Sequence, residues 1–124
     1  MKLSNVVKLN EILGTKALKV LDIKLAYKIV KLVRRIEDDV NFYRDNWQKI
    51  LNETVTKDSD GMPKIENGNY VFTFEKREEF NKRISELNGM EIEIPNEYKF
   101  KLDELSGLEL SLADMYIIEP LIVE

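Results

Sequence analysis

Carboxylate, amine, hydroxyl and phenol groups carry whatever side-chain acid–base or nucleophilic chemistry this chain can do, because its 124 residues include no histidine and no cysteine. Without an imidazole base there is no Ser-His-Asp triad and no Cys-His pair. Zinc sites built on His or Cys are excluded as well, as are a disulfide framework and a histidine pH switch. The triplet Glu97-Tyr98-Lys99 has the Glu-x-Lys form of metal-dependent nucleases. In those enzymes carboxylates hold Mg²⁺ and the lysine stabilises phosphoryl charge, and Glu91 or Glu93 could stand as the upstream carboxylate. In a chain this rich in Glu and Lys such a triplet arises by chance. Glu37-Asp38-Asp39 is a carboxylate run, but consecutive helical residues fan out by about 100° each, so the three cannot chelate one ion. Asp58-Ser59-Asp60-Gly61 opens like a calcium loop, yet the position that needs a bidentate Glu is occupied by Asn69. The five glycines stand alone, and no phosphate-cradling loop is present. No catalytic residue, cofactor or metal is assigned, and the expectation is that the chain is not an enzyme.

The binding candidates are stronger. Lys24, Lys28, Lys31 and Arg35 follow at helical spacing and would form one basic ridge, able to neutralise several phosphates. Lys16 and Lys19 lie just upstream. Against nucleic acid stand a sequence pI of about 5.1 and the lack of an aromatic residue on the ridge. Phe42, Tyr43 and Trp47 cluster further along. Tyr43 and Trp47 fall on an apolar seam and are expected to pack on Phe80 and Ile84. Phe42 falls off it, and an exposed aromatic there would be a partner-binding anchor.

Charge is unevenly placed along the chain. The net charge is −4, but residues 1–56 carry 11 Lys and Arg against 7 Asp and Glu, and residues 57–124 carry 8 against 16. Residues 1–35 have only Glu11 and Asp22 as anions, and residues 90–124 only Lys99 and Lys101 as cations. The expectation is that these faces attract each other, within the fold or between copies. No run of about 18 apolar residues exists to span a membrane. Met1-Lys2-Leu3-Ser4-Asn5 lacks the apolar stretch of a signal peptide, so a cytoplasmic location is expected.

The elements that must position these residues follow from periodicity. Ser4 reads as the N-cap of a short helix that Gly14 would end, and residues 15–21 read as a connection. Asp22 caps a much longer helix, whose apolar positions Leu25, Ile29, Leu32, Ile36, Val40, Tyr43, Trp47 and Ile50 step by three and four. Lys57 to Pro63 reads as a terminator and loop. Asn67-Gly68 between alternating apolar residues signals a β-hairpin with strands at about 63–66 and 70–74. Phe80, Ile84 and Leu87 mark a return helix that Asn88-Gly89 ends. Met90–Pro95 and Tyr98–Leu102 alternate as short strands, and Ser111 with Asp114 forms a capping box for a last helix at about 112–118. The expected fold is α+β and a single domain over 1–124. A long antiparallel helical hairpin (long helix about 22–56, return helix about 75–88) carries a small β-hairpin, about 63–74, at its tip. A small mixed base of short helices and strands comes from 1–21 and 89–124.

In its order of segments the chain resembles a family of small proteins from phages and prophages of Gram-positive bacteria, a family with no assigned activity. The resemblance runs through Asp22-Ile23-Lys24-Leu25-Ala26-Tyr27-Lys28-Ile29 opening the long helix, the Asp-Gly loop, the Asn-Gly hairpin and Glu79-Phe80-Asn81. It continues in Glu91-Ile92-Glu93-Ile94, Lys101-Leu102-Asp103-Glu104-Leu105 and Leu110-Ser111-Leu112-Ala113-Asp114. It implies an accessory phage product in the host cytoplasm or the virion and supplies no functional residues. The leading expectation is a non-enzymatic protein-interaction module in virion or tail assembly. It would bind a phage structural protein or a host factor, or a second copy through the long helix. One alternative is an inhibitor of a host protein, such as a defence nuclease, acting by surface occlusion. The other is nucleic-acid binding along the Lys24–Arg35 ridge. Phe42, Trp47, Lys24, Lys28, Lys31 and Arg35 are the candidate partner-binding residues.

Overall fold

A computed structural model describes residues 1–17 and 19–123 and shows an α+β chain of four helices and two small sheets. Helix α1 spans Leu3–Lys16 and α2 spans Ile23–Thr54. The hairpin strands β1 (Ile65–Glu66) and β2 (Asn69–Tyr70) lead to α3 (Phe74–Asn88). Three 3-10 turns, β3 (Phe100–Lys101), α4 (Leu112–Ile118) and β4 (Ile122–Val123) complete it.

Helix α2 is 32 residues long, or about 48 Å at 1.5 Å per residue. Asp22 starts it by accepting from the Lys24 and Leu25 amides, which satisfies two of the donors a helix start leaves over. Its seam meets two different partners. Val7 and Glu11 of α1 share a cleft with Tyr43, Arg44 and Trp47, so α1 begins beside the middle of α2. Leu3, Val6, Leu9 and Leu13 bury there against Leu25, Ile29, Leu32, Ile36 and Val40. Helix α3 takes the second half. Arg83 donates to Glu53 at 2.9 Å and the Tyr43 hydroxyl donates to Asn88 at 2.8 Å, which fixes α3 antiparallel to α2. The 14 residues of α1 and 15 of α3 thus cover in succession the seam of one long helix. The Leu3 amide joins them by donating to the Met90 carbonyl at 2.8 Å.

Several local expectations change. Helix α1 starts one residue before Ser4 and has no side-chain cap. Gly14 lies inside α1, because Lys16 is still helical and Ala17 forms the C-cap. The expected connection over 15–21 includes Leu18, which lies outside the described residues. The hairpin strands are two residues each. Their turn is of type I′, with Asn67 at φ 52° and Gly68 at φ 79°. The strand expected over 90–95 is reduced to one bridge, Lys2 to Glu91. Phe100–Lys101 pairs in parallel with Ile122–Val123, a long-range pairing that no local pattern encodes. Phe100, Leu105, Ile118 and Leu121 from this tail join the core under α1 and α2.

Candidate functional site

The outer face of α2 is set by what its inner face must do. With the seam buried, residues turned away by roughly half a helical turn reach solvent. At the start of the helix these are large and apolar: Ile23 is 81% exposed, Tyr27 67% and Val30 45%, with Leu21 just before them at 97%. Ile23, Tyr27 and Val30 stand at i, i+4 and i+7 and form one ridge. The apolar seam read from the sequence includes none of Ile23, Tyr27 and Val30. The signal was present: a second apolar set at helical spacing, out of phase with the first.

The basic ridge is divided in the structure. Lys28 turns inward, and its ammonium meets both oxygens of Glu104 at 2.9 and 3.0 Å and sits 5.1 Å from the Phe100 ring centre. Glu104 is held below its usual carboxylate range, first by the Lys101 amide that it accepts and then by Lys28. This pair joins the basic start of the chain to its acidic end, as does the Met1 ammonium against Glu91 at 3.3 Å. Lys24, Lys31, Arg34 and Arg35 stay exposed and form no salt bridge among the described residues. Lys31 lies 5.9 Å from the Tyr27 ring centre and 6.0 Å from that of Tyr98. Beyond them the same face carries Glu37, Asp38 and Asp45 together with Arg44 and Lys49, all exposed.

Phe42 is 45% exposed, off the seam. Trp47 is half-buried, meeting Phe80 edge-to-face with ring centres 5.9 Å apart and an 86° interplanar angle. Phe72 also packs on Phe80, with ring centres 4.9 Å apart and the planes tilted by 38°. Trp47 is therefore a packing residue with one edge on an open cleft of about 500 Å³ shared with Tyr70, Phe72 and Arg77. Tyr43 packs on the core, and burial, with Glu11 nearby, pushes its phenol above the ordinary value. The site candidates Lys24, Lys31 and Arg35 share one stretch of α2, while Phe42 and Trp47 lie further along it.

The acidic clusters stay apart. Glu97 sits exposed in a 3-10 turn, Glu93 is exposed and Glu91 is engaged with the Met1 ammonium. Among the described residues no three carboxylates are grouped so as to hold a metal ion. The Asp58 carboxylate closes its own loop by accepting from the Asp60 and Met62 amides. Among the described residues no helix is long and apolar enough to cross a membrane. Comparison with family models, curated proteins and solved structures returns no match.

Proposed function

We propose that this chain is a non-enzymatic protein-interaction module, phage-encoded, that serves in virion or tail assembly and docks through the outer face of α2. The observation that carries the docking is the ridge of Ile23, Tyr27 and Val30, large apolar side chains held in solvent on consecutive turns of α2, with exposed Leu21 just before it. A contiguous exposed apolar set of this kind marks an interaction surface more often than an isolated exposed residue does. In this reading α2 and α3 act as a hairpin arm with the small β-hairpin at its end, and 1–21 with 89–124 act as its base. The phage assignment rests on the order of segments described above.

The test is affinity capture from phage-infected Gram-positive cells, run in parallel with the tagged chain and its Ile23→Asp/Tyr27→Asp variant. Stoichiometric phage structural proteins, held by the first and lost by the second, are expected. A single host protein lost in the same way would overturn the assembly role in favour of an inhibitor. Equal capture by both variants would overturn the docking face.

A further inference from the structure

We infer that the occupant of the outer face of α2 is a second copy of this chain, paired antiparallel about a two-fold axis beside Ile36; this rests on the docking role proposed for that face. The seam cannot mediate self-association, since α1 and α3 already cover it. The outer face can, because charges of opposite sign adjoin Ile36 on its two sides, Arg34 and Arg35 before it and Glu37 and Asp38 after it. Before Ile36 it carries Lys24, Lys31, Arg34 and Arg35; after it Glu37, Asp38 and Asp45 are exposed, with Arg44 and Lys49 further along. None of these nine forms a salt bridge among the described residues, although each side chain is exposed.

Two parallel copies would set like charges against each other. An antiparallel pair about Ile36 sets Arg34 and Arg35 of each copy against Glu37 and Asp38 of the other, against a single like-charged meeting further out of Lys24 with Lys49, and a two-fold interface makes every such contact twice. Helical phase makes the match specific. At 100° per residue, Arg34 and Glu37 fall to one side of the outward direction, and Arg35 and Asp38 fall to the other. A two-fold axis perpendicular to two antiparallel helices keeps side with side. Arg34 then faces Glu37 of the second copy and Arg35 faces Asp38 of the second copy. In the same register Tyr27 lies opposite Asp45 of the second copy, and Ile23 and Val30 lie over its Gln48 and Asn41. The apolar ridge is thereby withdrawn from water at both ends of the pair.

The experiment is sedimentation velocity of the full chain across a concentration series. The expected result is a species of twice the 14.6 kDa chain mass whose dissociation constant rises with salt. Arg34→Glu/Arg35→Glu and Glu37→Arg/Asp38→Arg should each weaken pairing by at least about tenfold when alone. A mixture of the two should associate again, since their charges are complementary. All four residues are exposed, and circular dichroism checks that each variant keeps its helices. A wild-type monomer throughout, pairing that ignores both double substitutions, or a mixture that stays monomeric would overturn the inference. A monomer that binds an oligonucleotide, with a steep salt dependence lost in Lys24→Glu/Lys31→Glu, would overturn it in favour of nucleic acid. The docking role fails separately, since it is read in capture and survives a monomeric chain.

Discussion

The two halves of α2 are packed by different means. The first half is clad by α1 and by the C-terminal tail, and Leu32 and Ile36 there have no solvent exposure. The second half meets α3, whose only buried residue is Leu87. There Ile50, Leu51 and Thr54 of α2 are buried, and the side chains around them include half-buried aromatics, Trp47, Phe80 and Phe72, and a partly exposed ion pair between Arg83 and Glu53. One unbroken helix therefore joins a region clad on two sides by buried aliphatic side chains to one where half-buried aromatics and an ion pair share the contact. The backbone hydrogen bonds of this helix are internal, while its stability comes from the packing of its apolar face.

The largest test of this difference is Leu32→Ala. It removes a fully buried side chain between α1 and the tail and should cost about 2–5 kcal/mol. Because that core ties both chain ends to α2, thermal melts followed by far-ultraviolet circular dichroism and by tryptophan fluorescence should drop together. Trp47, the chain's one tryptophan, reports on the second half. A Leu32→Ala chain whose Trp47 transition stayed in place would mean that the halves are independent units.

Phe80→Ala probes the other side. Phe80 is half-buried between Trp47 and Phe72, so the loss should fall below the roughly 3–5 kcal/mol of a fully buried Phe, at about 1–3 kcal/mol. The expected signature is local. Trp47 emission should shift to the red and melt before the circular dichroism signal. Coincident melts in this variant would show that the second half is no less cooperative than the first.

The contrast was partly legible in the sequence. The seam from Leu25 to Ile50 and the cap at Asp22 announce α2 because a helix with a single apolar face has a strong period. The Ser111–Asp114 capping box also acts locally, and both its hydrogen bonds are present. What the sequence could not display was which partner covers which stretch of seam. Helix α1 and α3 share the work, and nothing local to either states that Leu3 will meet Met90. Gly14 was misread for a related reason: packing of Leu9 and Leu13 carries the helix through it, outweighing roughly 1 kcal/mol of unfavourable propensity. The candidate site was half visible. Its cations were identified, but Lys28 was drawn inside by Glu104, a residue 76 positions away, and the ridge through Ile23 and Tyr27 was masked by the stronger seam.

Asp22→Ala addresses the open end of the first half. Asp22 caps α2 with two amides, and its loss should cost about 1 kcal/mol. Amide exchange should quicken at Lys24 and Leu25 and stay unchanged in the second half. Faster exchange along all of α2 would mean that the first half does not anchor itself through α1, contrary to the packing.

The smallest effect concerns the polar tie on the first half. The Glu104 carboxyl is held below its usual range by the Lys101 amide and by Lys28. A carboxylate whose folded value is lowered stabilises the fold above its unfolded value, near 4.3. That contribution declines as pH falls below the unfolded value and is lost as pH passes through the folded one. Glu104→Gln should therefore be less stable than wild type at pH 7 by about 0.2–1 kcal/mol, the range of a partly exposed pair. The gap should close as pH drops below about 4. Urea melts of both chains at pH 7, 5 and 3 measure it. A gap that persisted at pH 3 would mean that the glutamate acts through its shape and packing beside Phe100 and not through its charge, and would remove the electrostatic link between the chain's basic and acidic ends as a source of the first half's stability.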